Sequence, residues 1–264
     1  MLKKMIYSQP ENKKMSYPFN LKWLKKMNSL DFQRPLTFIV GDNGVGKSTL
    51  IQALGIQAQL PQLTNQSYDE NPEYKAVSEL AAALKLQWSP KLTQGFFFRA
   101  DDFISFIRNT NKLRQELEDE LDLLDRRGVS DLAFERQPYL NSLAALKRSY
   151  PKALHELSHG QSFLALFKSR LSPNSLYILD EPETPLSPQN QLTLLCLIDE
   201  QIKQGSQFII ASHSPILTAH PEAAIYEISS QSIEEIAYDD IDNVAFMKPF
   251  MADPKRFMHY ALKE

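Results

Sequence analysis

The sequence contains a single cysteine, Cys196, so no internal disulfide can form, and the expectation is a reducing, cytoplasmic setting. Cys196 lies in the apolar run LTLLCLI and is expected to be a buried small hydrophobe. No apolar run approaches the ~18 residues of a membrane span, so direct membrane insertion is not expected and any membrane link would run through a partner. The leading MLKKMIYSQPENKK has no apolar core of signal-peptide length. Charge of one sign is lacking too: 29 Lys and Arg face 32 Asp and Glu, for a net charge of -3. That balance excludes a protein whose whole surface attracts nucleic acid. A local exception is the set Lys3, Lys4, Lys13, Lys14, Lys22, Lys25 and Lys26, read as solvated strand and loop positions, with a binding face as the alternative.

What is present is an ordinary globular composition, 43% apolar and 23% charged, over 264 residues. LTFIV (36–40), GFFFRA (95–100), SLYILD (175–180) and QFIIAS (207–212) read as strands. Helices are expected over 46–58, from 101 to 150, around 160–171, and over 189–205, where an amphipathic stretch closes on Gly205. Residues 61–74, polar and with two prolines, read as an irregular connection. Alternating strands and helices predict an α/β fold with a mostly parallel sheet. The block 101–156, with the charge run LRQELEDELDLLDRR, is expected to form a helical lobe whose charges are a solvated face.

The strongest local pattern is Gly41-Asp42-Asn43-Gly44-Val45-Gly46-Lys47-Ser48, a full G-x-x-x-x-G-K-[ST] match between an expected strand and an expected helix. Its glycines let backbone N–H groups turn inward onto phosphate oxygens, and the helix start adds its positive dipole end. Lys47 is suited to the β- and γ-phosphates, and Ser48 to Mg²⁺. Such a loop needs a second, acidic element, and Leu176-Tyr177-Ile178-Leu179-Asp180-Glu181 supplies an apolar strand ending in two carboxylates. In isolation an Asp-Glu pair is more often a helix cap or exposed turn. Placed after a buried strand and downstream of that loop, Asp180 reads as a metal-site carboxylate and Glu181 as the base for an attacking water. His213, at the end of QFIIASH, could be structural or could sense the γ-phosphate.

One stretch is ambiguous. HELSHGQSF (155–163) contains His155-Glu156-Leu157-Ser158-His159, the H-E-x-x-H pattern of a zinc peptidase. Two residues on, Leu157-Ser158-His159-Gly160-Gln161 is one letter from L-S-G-G-Q. A zinc site needs both histidines on one helix turn and a third ligand. With Gly160 following at once and the helix expected to begin near Ser158, His155 falls outside it. The nucleotide reading is preferred.

Taken together, SHGQSF, LYILDEPE and QFIIASHSP resemble an ABC-type ATPase, and in particular a small bacterial stand-alone family of predicted P-loop ATPases distantly similar to SMC and RecF-like proteins. The resemblance covers about residues 16 to 260. It implies one ABC-type ATPase domain over 1–264, with a nucleotide-binding lobe from 1–100 and 157–264 and a helical signature lobe from 101–156. It implies that ATP is held by Gly41, Asp42, Asn43, Gly44, Val45, Gly46, Lys47, Ser48 and Thr49. Across an ATP-dependent homodimer, Ser158, Gly160 and Gln161 would meet the same nucleotide. Mg²⁺ falls to Ser48 and Asp180, and catalysis to Glu181, His213 and Lys47. The expected output is closure of a head-to-tail dimer that drives an unidentified protein or nucleic-acid partner, with a DNA-associated, repair or defence role favoured. The energy-coupling subunit of a membrane transporter and a non-hydrolytic ATP switch are the alternatives. The chain departs from the pattern at His159, which replaces a signature glycine, and at Ser187, which stands where many transporters have aspartate. It also lacks a glutamine after GFFFRADD, where Arg99 or Asp101 would substitute. Tyr17 and Phe19 are the candidates to stack on adenine.

Overall fold

A computed structural model describes residues 1–10, 16–63, 73–130, 133–149 and 159–262. Its centre is a six-stranded sheet in the order β5 (Gly95–Arg99), β6 (Leu176–Asp180), β7 (Gln207–Ala211), β3 (Leu36–Val40), β8 (Ala224–Ile228), β9 (Ile233–Glu235). All neighbours are parallel except the terminal β8–β9 pair. Strands covered on both faces read as near-continuous apolar runs. β3, β6 and β7 are buried along their whole length.

Alternate side chains feed two cores. Ile39, Phe97, Ile178 and Ile209 join one cluster with Leu50, Ile51 and Leu54 of α2 (Lys47–Gln57). That cluster continues into a three-stranded antiparallel sheet of order β2 (Ser29–Asp31), β1 (Leu2–Tyr7), β4 (Leu84–Trp88), and into α1 (Lys22–Lys26), which buries Trp23 and Leu24. Phe38, Phe96, Phe98, Tyr177, Leu179, Phe208 and Ile210 face the other way. There they meet Phe103 of α4 (Ala100–Arg126), Phe163 and Phe167 of α6 (His159–Arg170), and Leu194 and Ile198 of α7 (Pro188–Lys203). Tilted and edge-on ring contacts such as Phe98–Phe163, with centroids 4.9 Å apart, bind α6 to the sheet.

The long α4 is followed by α5 (Gln137–Ser149), and an ion pair between Arg136 and Asp125 joins the segment before α5 to α4. The chain ends in α8 (Asp242–Ala252) and α9 (Pro254–Ala261). Phe246, Phe250 and Phe257 pack on one another there, while Phe246, Met251 and Tyr260 are exposed. Among the described residues no helix is long and apolar enough to cross a membrane.

Three expectations are corrected. Cys196 is exposed, because α7 turns only Leu194 and Ile198 fully into the core and its apolar run wraps round the helix. The early lysines are not all strand and loop residues, since Lys22, Lys25 and Lys26 lie on α1. Lys13 and Lys14 fall outside the described residues, as do His155 and Ser158. Residues 73–82 form α3 (Glu73–Ala82), so the irregular connection expected over 61–74 gives way to helix at its end.

Candidate nucleotide site

In parallel α/β sheets the carboxyl ends of the strands form the natural binding edge. β3, β6 and β7 deliver Gly41, Asp180 and Ser212 to that edge side by side. The loop after β3 runs into α2 through Gly46, whose φ of 104° reverses the chain ahead of the helix. At Gly41, with φ 135°, a Cβ would stand 2.2 Å from the carbonyl oxygen of Ile228, so only glycine lets the loop leave β3 beside β8. The loop is braced from the small sheet side, where Trp23 Nε1 donates to Val45 O at 2.6 Å.

Lys47 is 4% exposed and donates to the loop's own carbonyls, Gly41 O at 3.0 Å and Asp42 O at 2.8 Å. Burial lowers its pKa, while Glu181 and Asp180 pull it back up. Ser48 Oγ donates to Asp180 Oδ1 at 3.0 Å. Asp180 is 3% exposed, and burial pushes its carboxyl up to about 7 against the opposing Ser48 hydrogen bond. Gln52, one turn further along α2, also supports the charge of this carboxylate. An ammonium, a hydroxyl and a buried carboxylate thus meet at the head of one helix. The arrangement can take phosphate oxygens at the loop and a hard divalent cation at the Ser48–Asp180 pair.

Glu181 follows in the left-handed region, φ 50°, with its N–H donated to Ala211 O at 2.9 Å. A residue other than glycine there stores strain on the order of 1–3 kcal/mol. His213 Nε2 lies 3.8 Å from Glu181 Oε1 and makes no hydrogen bond among the described residues. Burial lowers the histidine pKa, and the nearby Lys47 adds to the shift. The cleft beside the loop has a volume of about 440 Å³, and its walls include Asp42, Asn43, Glu181, His213, Glu227 and Asn243.

Gly41 to Thr49, Asp180, Glu181 and His213 are therefore neighbours. Gly160 and Gln161 are not part of this cleft. They open α6, where a Cβ on Gly160 would meet Asn190 Nδ2 at 2.8 Å and Pro185 O at 2.9 Å. Ser158 lies outside the described residues. Of the two substitutes for the missing glutamine, Arg99 ends β5 opposite Asp180 in register and reaches that carboxylate electrostatically, while Asp101 pairs with Arg99 at 3.3 Å. Ser187 caps α7 by accepting from Asn190 N. Three residues escaped the sequence reading. Glu183 is the last letter of LDEPE and could have been found there, whereas Glu227 and Asn243 carry no local signature.

With this geometry in view, the chain is a P-loop ATPase of the ABC type. It belongs to the family described as "AAA domain, putative AbiEii toxin, Type IV TA system", which matches residues 36–149 and 147–219. Among curated proteins, the cobalt import ATP-binding protein CbiO of Salmonella typhi is 26% identical over 219 residues, 80% of this chain and 73% of that protein. The nisin transport ATP-binding protein NisT of Lactococcus lactis is 27% identical over 229 residues, 85% of this chain but 36% of NisT. Among solved structures, cbiO1 of Clostridium perfringens aligns at 17% identity with a TM-score of 0.44, covering 88% of this chain and 90% of that one. The SMC head domain of Thermotoga maritima aligns at 15% identity with a TM-score of 0.43, covering 89% and 99%.

Proposed function

We propose that the chain binds ATP with Mg²⁺ at the Gly41–Thr49 loop and hydrolyses it in a head-to-tail dimer whose closing and reopening drive a separate partner. The observation that carries this reading is the meeting of Lys47, the Ser48–Asp180 pair and the Glu181–His213 pair at one sheet edge.

Lys47 trades the carbonyls of Gly41 and Asp42 for the β- and γ-phosphates, which suit a buried cation far better than neutral acceptors. The Ser48–Asp180 pair fits Mg²⁺, since it offers a buried carboxylate and a hydroxyl, both hard oxygen donors, 3.0 Å apart. Bound there, the ion would neutralise charge on the phosphates. Glu181 takes the proton of the attacking water, and His213 faces it from the next strand end. Catalysis is then positioning and electrostatics at a rigid edge. The exposed ring of Tyr17, held by a 2.7 Å hydrogen bond between its hydroxyl and Thr49 Oγ1, is read as the adenine platform. Phe19 is 5% exposed and unsuited to that role.

The helices α4 and α5, together with the segment leading to α6, are read as the signature lobe, 101–156, between the two parts of the nucleotide-binding lobe, 1–100 and 157–264. Gly160 and Gln161 at the head of α6, and Ser158 just before them in the sequence, would then meet the nucleotide of a second copy, with Lys47 of one chain opposite Ser158 of the other. On the nature of the partner, the DNA-associated role expected from sequence has no support over the transporter alternative. CbiO and NisT are transport ATP-binding proteins by name. DNA-stimulated turnover with a steep salt dependence would favour the former, and its absence the latter.

The phosphate assignment is tested by thermal unfolding. ATP at about 100 times its Kd should stabilise the fold by about 2.7 kcal/mol. For a chain of this size that is a shift of roughly 5–10 °C. Lys47→Ala should lose most of it. An undiminished shift in the variant would refute the assignment.

A further inference from the structure

We propose that Glu183 and Asn243 form a two-sided clamp on the backbone of His213 and are positioning residues for ATP hydrolysis; the proposal rests on the role read above for His213. Glu183 Oε1 accepts the N–H of His213 at 2.6 Å. From the opposite side Asn243 Nδ2 donates to the carbonyl oxygen of His213 at 3.1 Å. Both peptide groups of one residue are thus gripped by side chains from two separate elements, the turn after β6 and the first turn of α8. An N–H donated to a carboxylate is shorter and stronger than one donated to a neutral acceptor, as the 2.6 Å separation indicates.

The turn that carries Glu183 is itself fixed. Thr184 N–H donates to Glu181 O at 3.1 Å, and Leu186 N–H to Glu183 O at 2.8 Å. Glu181 stands in that turn at φ 50°, with its carboxylate facing the imidazole of His213. One turn therefore addresses His213 twice, through its backbone at Glu183 and through its ring at Glu181. Beyond His213 the chain is equally held, since Ser214 Oγ accepts from Ile216 N and Leu217 N at 3.1 Å each and donates to Gln191 Oε1 at 2.6 Å. With its backbone pinned, His213 keeps only side-chain rotations, and its Nε2 sits buried near Glu181 without a hydrogen-bond partner among the described residues. The other oxygen of Glu183, Oε2, is likewise buried, with no hydrogen-bond partner among the described residues. A carboxylate is thus kept in a place where desolvation opposes it, and the bond from His213 N–H is the largest of the hydrogen bonds that offset this, ahead of those from its own N–H and from Ser212. Asn243 is exposed, so it is the weaker jaw. Because it lies in the first turn of α8, it also ties His213 to the C-terminal helix pair.

The test uses the full chain, labelled with ¹⁵N-histidine, as Glu183→Ala, Glu183→Gln, Asn243→Ala, His213→Ala and the Glu183→Ala/His213→Ala pair. Misplacing a catalytic group by about 1 Å costs up to roughly 10²-fold, so Glu183→Ala should lower kcat about 10- to 100-fold with little change in KM for ATP. Asn243→Ala should lower it less, by roughly 2- to 10-fold. Glu183→Gln keeps an acceptor oxygen in place and should restore most of the turnover. Acting through His213, the Glu183→Ala loss should vanish in the His213→Ala background. The His213 amide proton should move upfield in Glu183→Ala and return in Glu183→Gln. Additive losses in the pair, or an amide resonance unmoved by Glu183→Ala, would overturn the clamp. Should Glu183→Ala fail to fold, Asn243→Ala at its exposed site, alone and combined with His213→Ala, carries the same additivity test. A His213→Ala chain with normal turnover but a shifted amide in Glu183→Ala would instead overturn the catalytic role of His213, leaving the contact itself demonstrated.

Discussion

Replacing Glu181 by glutamine isolates the chemistry from the binding. The side chain is 41% exposed at the cleft, so glutamine fits without repacking, and the φ of 50° that either residue must adopt leaves the strain unchanged. What is lost is a base, and loss of a general base lowers turnover about 10²–10⁴-fold. At 1.36 kcal/mol per decade that is about 2.7–5.4 kcal/mol of barrier. Binding should survive, because Lys47, Ser48 and Asp180 are untouched. It should even improve slightly, since a carboxylate facing the phosphate site is removed. Two unit charges ~10 Å apart at an effective dielectric near 20 repel by about 1.7 kcal/mol. Solvent at the half-open cleft reduces this to on the order of 1 kcal/mol or less. Phosphate release measures the first effect, equilibrium titration with a fluorescent ATP analogue the second, and light scattering with ATP and Mg²⁺ the mass. The expected result is slow hydrolysis, unweakened ATP binding and accumulated dimer. Normal hydrolysis would remove Glu181 as the base. A catalytically dead chain that stays monomeric with ATP would refute the composite site.

Adding Ser158→Arg to that variant should return it to monomer, by placing bulk and charge at the phosphate shared between copies. Gly41→Ala should cost on the order of 3 kcal/mol, from both a 2.2 Å contact with Ile228 O and an unfavourable φ. Gly44→Ala, with φ 80° but nothing within 4 Å among the described residues, should cost about 1 kcal/mol; equal losses on thermal unfolding would contradict the packing at β8. In metal-free buffer, the raised pKa of Asp180 means the folded state holds this proton more tightly than the unfolded chain. Its contribution to stability is fully present below about pH 4 and lost as pH rises through about 7. Asp180→Asn should flatten that slope in denaturant titrations. Tyr17→Ala should weaken ATP binding about tenfold through lost stacking, and Tyr17→Phe less; unchanged affinity in both would place adenine elsewhere.

The central strands were legible because each is a short apolar run buried on both faces, so LTFIV, LYILD and QFIIA announce themselves. β1 was not, since LKKMIY carries lysines at its half-buried positions and resembles a polar leader. β2 and β9 are three residues each, too short for any period to register. The run LTLLCLI misled for the opposite reason: apolar on every side, it hid which side of α7 faces solvent, and Leu192 and Cys196 are exposed. In the site, Lys47, Ser48, Asp180 and Glu181 could be read because phosphate and metal chemistry is written in contiguous strings. The grip of Glu183 and Asn243 on His213 could not, since it joins three segments at separations of 30 residues on either side.

The exposed Cys196 on α7 has a practical consequence. As the only thiol in the chain, it takes one maleimide spin label per copy without any engineered substitution. A two-fold dimer then yields a single inter-label distance, by which closed and open assemblies can be told apart at each stage of turnover. The same sulfur can deceive. In air, two copies joined through Cys196 would weigh the same as a nucleotide-bound pair, so a doubled mass reports ATP only when reductant is present.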